Sequence, residues 1–556
     1  MVTLNSLVEL LQRQAVPVAL SLLILFPFLT HYISTTLFYR KANSRQPRQS
    51  PPTIPYWVPG VFHAIGLAVG PAAFFAKLIK EYGSYAPFVV KAGTSSYVVI
   101  RDPNHAKEIF QAPQQLTMKT RLAHVHDRVL GSPKEAVKIY QGIGTGHEDS
   151  KQVEYAQLAL PQKYLTHMPL ISLAEVYIST LRRNLSNKMF QVKTWTQIEN
   201  VWSFFQIEIT RAATETLFGS ALLKQYPKVV HDFWKFAANH DDLEWVLPQF
   251  RMSSTDGIRD QLEENLKKWL QTTHGGPDFA ELGDEDPIWD AQKGSRFIQE
   301  RDQVFANLPS FNYQARAAET LGIIQALIPD IMSSTFWCVV ESLRDPDLVK
   351  RLTAEMAPFY EVKTGAYDIA AITDLSIVQS LLAETGRLRT ATCTIRTNVE
   401  AEFKLDDTWT IPKGMSALVF SHDLALNTEL WAKARPQTVA RPLEEFWAER
   451  FLTADSPTPG RKQSSRKSGI GTGRFSMDGV EALHVSFDWD PMRCLTKAMQ
   501  AATLGVLLTE FELQLCDPEA TQAALPLLRE VAYGMIKPLD QIAIRIRKRT
   551  HSKEST

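Results

Sequence analysis

The sequence Phe487-Asp-Trp-Asp-Pro-Met-Arg-Cys494 leads directly into a long apolar segment near the end of this 556-residue chain. The chain has only four cysteines, and none of them belongs to a Cys-x-x-Cys pair. A single cysteine ahead of an apolar helix is either a small buried residue of the core or a thiolate that binds a soft metal. The fragments that precede Cys494 favour the second interpretation.

An apolar, helix-forming segment upstream ends in Glu384-Thr-Gly-Arg387. Glutamate and arginine three residues apart lie on one face of a helix, where they form a charge-assisted hydrogen-bonded pair. The spacing alone carries little information, because Glu208 and Arg211 repeat it. Glu384 is distinguished by the order of the fragments that follow it, which are Arg396, IPKGM at 411–415, EEFWAERF at 444–451 and FDWDPMRC at 487–494.

In this order the fragments resemble the cytochrome P-450 superfamily of haem-thiolate enzymes, and the resemblance extends over nearly the whole chain. It implies a mainly α fold with small β-sheets and a single large domain behind an N-terminal transmembrane helix. It also implies a buried structural triad of Glu384, Arg387 and Arg450. Ala448 stands where the family commonly has proline, a departure that leaves the arginine in place.

The resemblance makes Cys494 the axial ligand of the iron of protoporphyrin IX. A thiolate pushes electron density onto the iron and favours O–O cleavage. Phe487 keeps the family's spacing, but Asp490 and Thr496 stand at the two positions that are glycine in the family pattern. Glycine permits left-handed backbone and close packing, so its loss predicts either a reshaped loop or a less firmly held cofactor.

Three further positions correspond to the family's contacts with the haem propionates. Arg396, at the start of the strand after the Glu384 helix, matches a position that usually pairs with a propionate. His147 and Lys151 match an aromatic or histidine residue four positions before a base. A solvated helix face explains the His147 and Lys151 pair equally well.

The distal helix departs from the family pattern as well. Aligned through Phe336-Trp337, the acidic position falls on Asp330 and the usual threonine position on Ile331. Asp330 is therefore the candidate catalytic acid, although it could instead satisfy backbone groups released by Pro329. The segment resembles the branch with sterol 7α-hydroxylase and prostacyclin synthase, and the latter isomerises a peroxide without external electrons.

The run from residue 14 to 39 has no charged side chain except an ionisable His31, and roughly 20 such residues span a bilayer. Arg40, Lys41, Arg45 and Arg48 follow it, a stop-transfer pattern that predicts a cytosolic body. We therefore expect a single-pass anchor at 1–48 in the endoplasmic reticulum membrane and a haem domain at 49–556. A buried core helix is the alternative.

The balance of charged residues disfavours a nucleic-acid-binding function. Basic and acidic residues balance at 60 each, so there is no overall electrostatic attraction to nucleic acid. The expected function is a monooxygenase that oxidises an apolar small molecule with electrons from an NADPH-dependent reductase, and the altered motifs loosely resemble divergent members of fungal secondary metabolism. The alternatives are an isomerase or dehydratase that needs no external electrons, and a membrane protein that has kept the fold but lost the haem.

Overall fold

The computed structural model describes residues 24–44, 46–82, 86–142, 147–187, 189–239, 256–275, 286–454, 473–484, 491–530 and 533–550. These residues are mainly helical and carry several small sheets, as predicted. They form two compact units. One comprises Met1–Arg121 with Cys393–Phe420, and the other comprises Leu122–Thr392 with Ser421–Thr556.

Several helices begin at a polar side chain that accepts backbone N–H groups, which would otherwise lack partners in the first turn. Asn312 caps the longest helix through the N–H groups of Gln314 and Ala315, and Asp345 caps the next one. The helices are α1 (24–42), α2 (Ala64–Val69), α3 (Pro71–Glu81), α4 (Pro103–Gln111), α5 (Lys119–Arg128), α6 (Lys134–Gln141), α7 (His147–Glu154) with a π-helical turn (Tyr155–Ala159), α8 (Leu160–Tyr164), α9 (His167–Asn184), α10 (Val201–Gln225), α11 (Val229–Asn239), α12 (Asp256–Thr273), α13 (Arg296–Ala306), α14 (Tyr313–Leu343), α15 (Pro346–Met356), α16 (Ile369–Asp374), α17 (Ser376–Arg389), α18 (Ser421–Ala425), α19 (Thr428–Ala434), α20 (Pro491–Glu510) and α21 (Pro518–Ala523).

The strands are short, and most belong to hairpins. They are β1 (Phe88–Ala92), β2 (Ser95–Ile100), β3 (Leu116–Thr117), β4 (Thr196–Ile198), β5 (Trp289–Asp290), β6 (Gly294–Ser295), β7 (Tyr360–Glu361), β8 (Ala366–Tyr367), β9 (Cys393–Asn398), β10 (Glu402–Lys404), β11 (Thr410–Pro412), β12 (Ser416–Phe420), β13 (Leu452–Ala454), β14 (Gly473–Phe475), β15 (Phe511–Leu515) and β16 (Ile544–Lys548).

The first unit is built on a five-stranded sheet with the order β1-β2-β12-β9-β3. β12 runs parallel to β2 and antiparallel to β9, so the sheet is mixed. In the second unit β16 lies between β15 and β4, with both pairings antiparallel. The remaining strands form two-stranded hairpins.

α14 is the central helix of the second unit. It packs against α10, α12, α17 and α20. Apolar residues of α14 occur on all sides of the helix, as expected for a helix inside a core. Among the described residues it is the one helix long and apolar enough to cross a membrane, but 78% of its most apolar window is buried inside the protein. Its composition is therefore explained by the core.

The predicted anchor lies only partly within the described residues, because 1–23 and Arg45 are outside them. The described part is α1, whose large apolar side chains, such as Leu25 and Ile33, are mostly exposed. α1 contacts the following segment where the His31 ring stacks on Trp57 with the centroids 4.2 Å apart. The exposure does not fit a buried core helix.

Candidate active site around Cys494

Glu384, Arg387 and Arg450 meet in a fully buried cluster at α17. Glu384 accepts from Arg387 Nε at 2.7 Å on Oε2, from Arg387 Nη2 at 2.8 Å on Oε1, and from Arg450 Nε at 3.0 Å on Oε1. Burial alone would raise the pKa of Glu384, but the charges and hydrogen bonds of the two arginines outweigh it and hold the pKa below its ordinary value. The carboxylate is therefore ionised inside the core.

The same two arginines bind the chain that follows α17. Arg387 donates to the carbonyls of Ala425 and Leu443, and Arg450 donates to those of Pro442 and Glu445. Each guanidinium thus donates to backbone carbonyls of an irregular segment, where these oxygens have no hydrogen-bond partner in a β-sheet. The cluster is structural, since it fixes the course of the chain between α18 and β13.

Cys494 lies in the first turn of α20, which begins at Pro491, and it is partly exposed. The first turn of a helix favours an anionic sulfur, because the N-terminal end of the helix dipole is positive. In contrast, burial raises the pKa of Cys338 to about 12, and it also raises the pKa of Cys393 well above its ordinary value. Of these three cysteines, Cys494 has the environment that best suits a thiolate.

The donor set fits the iron of a haem. A porphyrin supplies four nitrogen ligands, so the protein needs to provide only a single soft thiolate on the proximal side. Among the described residues there is no group of three or more His, Cys, Asp or Glu side chains that could hold a different metal ion. Phe487 and Asp490, which belong to the predicted haem loop, lie outside the described residues.

Asp330 connects α14 to the cysteine-bearing turn of α20. Arg493 Nη1 lies 2.9 Å from Oδ1 and 3.0 Å from Oδ2 of Asp330, and Thr496 Oγ1 lies 3.0 Å from Oδ2. These two residues stand directly before and two places after Cys494. Ile331, the next residue of α14, is fully buried and has no hydroxyl group. The predicted acid is thus an acceptor for two side chains of α20.

A small cavity of about 30 Å³ lies beside this contact. Its lining comes from α14, α17, α20 and the segment after β13, and it includes Ser334, Thr390, Arg493, Thr496, Lys497 and Gln500. A space of this size holds one or two water molecules, and polar side chains give such molecules partners. Arg493 and Thr496, which bind Asp330, therefore also line this small cavity, together with apolar residues such as Leu382 and Phe475.

The predicted propionate residues lie in different parts of the chain. Arg396 is in β9 of the first unit and is partly buried, whereas Cys494 belongs to the second unit. Lys151 is in α7, where it lies 3.8 Å from Glu148 with both side chains more than half exposed. His147 begins α7, and its side chain is not described. The Lys151 contact is typical of a solvated helix face.

Sequence reasoning missed a buried ionic cluster on α14, about three turns before Asp330. Glu319 accepts from Arg301 Nη2 at 2.8 Å and from the hydroxyl of Tyr140, and His126 Nε2 lies 3.3 Å away. Burial lowers the pKa of His126, so the imidazole is neutral and Arg301 is the charge partner of Glu319. The sequence signal for this cluster is Glu319 itself, an acidic residue within a long apolar helix, because a buried acid requires a partner.

No protein-family profile matches this chain. Among curated proteins, it is 28% identical to the cytochrome P450 monooxygenase fsoE of Humicola fuscoatra, over 90% of this chain and 88% of that protein. It is 25% identical to the cytochrome P450 monooxygenase efuG of Hormonema carpetanum, over 95% and 96% of the two chains. It is 24% identical to the cytochrome P450 monooxygenase calL of Penicillium decumbens, over 64% and 67%.

These likenesses extend over most of the chain, and they agree with the predicted order of motifs and with the mainly helical fold. The thiol of Cys494 is the candidate for the proximal ligand that such proteins require. The chain is thus similar over most of its length to cytochrome P450 monooxygenases, which supports a divergent P450 oxidoreductase with a haem-thiolate cofactor.

Proposed function

We propose that this protein is a membrane-anchored monooxygenase that inserts one oxygen atom into an apolar small molecule, with electrons from an NADPH-dependent reductase. The observation that carries the proposal is the partly exposed Cys494 thiol in the first turn of α20, in a chain similar to P450 monooxygenases. When bound, the haem supplies the iron centre at which oxygen is activated.

The chain's own residues take distinct roles in this proposal. Cys494 binds the iron, and Phe487 belongs to the same haem-binding motif, while Glu384 and its two arginines hold the supporting segment in place. Arg396 is the proposed partner of a haem propionate, and Lys151 and His147 are further candidates for that role. Asp330 stands at the acidic position of the family's distal helix and is the candidate catalytic acid.

The apolar substrate class is carried over from the resemblance, and the segment of α14 around Asp330 is itself apolar. Leu327, Ile328 and Ile331 flank it and are each at most 1% exposed. Apolar surfaces bind ligands by removing hydrocarbon area from water, with few polar groups to fix orientation. The compound class remains that of apolar small molecules, with fungal secondary metabolites as the first group to be screened.

Residues 1–48 form the membrane anchor in this proposal, and 49–556 form the haem domain on the cytosolic side of the endoplasmic reticulum. The exposed apolar side chains of α1, such as Phe28 and Leu29, suit contact with lipid. Arg40, Lys41 and Arg48 follow at the end where a stop-transfer cluster is needed.

The test is the difference spectrum of the reduced carbon monoxide complex, together with reductase-dependent turnover. Wild-type protein should show the red-shifted Soret band of a thiolate-ligated haem. Cys494→Ser should abolish both the band and turnover, because serine is a harder and less polarisable donor. Cys516→Ser is the matched control, since Cys516 is exposed and lies after β15, and it should leave both unchanged. A wild-type protein without this band would overturn the proposal.

A second candidate is a peroxide isomerase or dehydratase on the same scaffold. It is favoured by one observation, which is that Ile331 lacks a hydroxyl group while Asp330 is already bound to Arg493 and Thr496. An isomerase needs no external electrons and has little need of a proton relay. Turnover of an organic peroxide without NADPH and reductase, at the rate seen with them, would select this candidate over the monooxygenase.

A further inference from the structure

We propose that His126 makes residues 123–140 an acid-sensitive strap, which is seated on α14 while the imidazole is neutral and is released when the imidazole is protonated. The strap consists of the second half of α5, the following loop and most of α6. The inference is independent of the proposed function, because it concerns a contact within the second unit that the haem chemistry does not use.

Glu319 of α14 seats both ends of the strap. Its Oε1 accepts the hydroxyl of Tyr140 and lies 3.3 Å from His126 Nε2, while its Oε2 accepts from Arg301 of α13 at 2.8 Å. The rings of His126 and Tyr140 are stacked, with their centroids 4.5 Å apart. All four side chains are buried. The polar part of the contact between the strap and α14 is therefore closed to solvent.

The neighbours of His126 fix which of its nitrogens carries the hydrogen. Glu319 is ionised, since its pKa lies below the ordinary value, and a carboxylate only accepts hydrogen bonds. We therefore assign the hydrogen to Nε2, which leaves Nδ1 as the acceptor for the Ser132 hydroxyl, 2.9 Å away. The main-chain N–H of Ser132 also donates to the carbonyl of His126. The neutral imidazole thus connects the loop of the strap to α14.

A second proton on the ring would give the seated cluster a charge that nothing compensates. The charged groups that act on His126 are Glu319 and Arg301, and these two already balance each other. Protonation would add a positive charge to a buried site, where an uncompensated charge is costly. It would also turn Nδ1 into a donor facing the Ser132 hydroxyl. Water solvates the imidazolium once the strap is released, so acid favours release.

An apolar contact holds the strap at neutral pH and does not itself respond to acid. Leu130 of the loop is fully buried and lies against Gly322 of α14, three residues after Glu319. A Cβ added at Gly322 would lie 3.1 Å from Leu130 Cδ1, so glycine lets the loop approach the helix closely. Acid therefore weakens one part of the seat and leaves the other part intact.

The other ionisable groups that we find around the strap, within the described residues, do not account for such a response. Arg259 of α12 faces the loop, with its Cζ 3.0 Å from the position of a Cβ added at Gly131, and arginine keeps its charge. Burial raises the pKa of Tyr140, so this hydroxyl stays neutral. Asp127 pairs with its neighbour in α5 and as a carboxylate titrates at lower pH. The exposed groups are His124, Arg128, Lys134, Glu135 and Lys138.

The test is hydrogen exchange of the full-length protein, followed by mass spectrometry between about pH 7.5 and about pH 5, with rates corrected for the intrinsic effect of pH. The pKa of His126 in the seated strap lies below the ordinary value of 6.5, so the released strap takes up the proton first. Opening of the strap should therefore increase below that value, by at most about tenfold per pH unit for one proton, and level off below the lower pKa of the seated state. Peptides of α10 should keep their protection, which excludes global unfolding.

Two variants separate the titration of His126 from the loss of a contact. His126→Gln keeps a donor and an acceptor but cannot titrate in this range, so its strap should open to the same extent at every pH. Tyr140→Phe is the matched control, because it removes one hydrogen bond to Glu319 and no charge. It should open the strap more at every pH and keep the pH dependence of wild type.

Arg301→Gln gives a test in which the sign changes. Without the guanidinium, the protonated imidazole becomes the charge partner of Glu319, so acid should seat the strap more firmly instead of releasing it. Strap exchange that is independent of pH in wild type would overturn the inference, and so would the same pH dependence in His126→Gln. If Arg301→Gln does not fold, the other two variants still decide, since both keep the ion pair. None of these outcomes depends on a thiolate-ligated haem spectrum, so failure of the proposed function would leave them unchanged.

Discussion

Arg450 donates its Nε to Oε1 of Glu384 at 3.0 Å across 66 residues of sequence, and both side chains are excluded from solvent. The glutamate is the only carboxylate we find bound to either Arg387 or Arg450 in the described part of the chain. Two buried guanidinium groups thus depend on one acid for charge compensation. This dependence makes the cluster sensitive to the loss of Glu384.

Glu384→Ala should lower the free energy of unfolding by on the order of 3–5 kcal/mol, because it leaves two buried charges without their partner. Chemical denaturation measured by circular dichroism checks this value. Asp347→Ala is the control, since Asp347 forms an ion pair of the same spacing with Lys350 but both side chains are exposed, and it should cost less than about 1 kcal/mol. A Glu384→Ala protein as stable as wild type would contradict the structural role.

The cluster also predicts a dependence of stability on pH. The pKa of Glu384 in the folded protein lies below the ordinary value of 4.5, so the unfolded chain takes up the proton first as the pH falls. The stabilisation is complete above that value and is lost as the pH decreases through the lower pKa of the folded state. Glu384→Gln should therefore show a shallower loss of unfolding free energy in acid than wild type. Equal slopes below about pH 5 would contradict this prediction.

Gly219→Ala should destabilise the second unit strongly. Gly219 kinks α10 with φ +79°, and an added Cβ would lie 2.7 Å from the carbonyl oxygen of Ala291 and 2.9 Å from the nitrogen of Gly294. Backbone strain alone costs on the order of 1–3 kcal/mol, and the contact with fixed backbone atoms adds to it. Thermal unfolding gives the measurement.

Variants of two other glycines distinguish the stability cost of backbone strain from the cost of steric crowding at an added Cβ. Gly142 has φ +70° but open space where an added Cβ would lie, so Gly142→Ala should show the strain cost alone. Gly257 lies in α12 with open space and ordinary helical backbone, so Gly257→Ala should stabilise the protein by about 0.5–1 kcal/mol. If Gly219→Ala costs no more than Gly142→Ala, close packing at the kink is not the cause.

Removal of residues 1–48 should release the body from membranes without unfolding it. The prediction follows from the uncharged run to Tyr39 and from the exposed apolar side chains of α1. Flotation of the truncated and full-length proteins with lipid vesicles measures the effect, and circular dichroism verifies the fold. If the truncated protein floats as fully as the whole chain, a second membrane-binding surface must exist, and the exposed Ile65 and Val69 of α2 would be tested next.

Local patterns predicted the local structure well. β-forming residues on both sides of Gly93 are typical of a hairpin, and the β1–β2 hairpin lies there. Asp406-Asp407 is likewise typical of a turn, and Asp406 accepts the N–H groups of Thr408 and Trp409 between β10 and β11. The pairing of Glu384 with Arg387 also follows from spacing, because residues three apart always share a helix face. These features need no knowledge of the rest of the chain.

The contact of Asp330 with Arg493 could not be predicted in this way. The two residues are 163 positions apart, and no periodicity states which face of α20 meets α14 or how closely the helices approach. For the same reason, the sequence shows Thr496 only as a residue that replaces a glycine of the family pattern. In the folded protein its hydroxyl binds Asp330. Contacts within a helix depend on backbone geometry that every helix shares, but contacts between helices depend on the packing of the whole core.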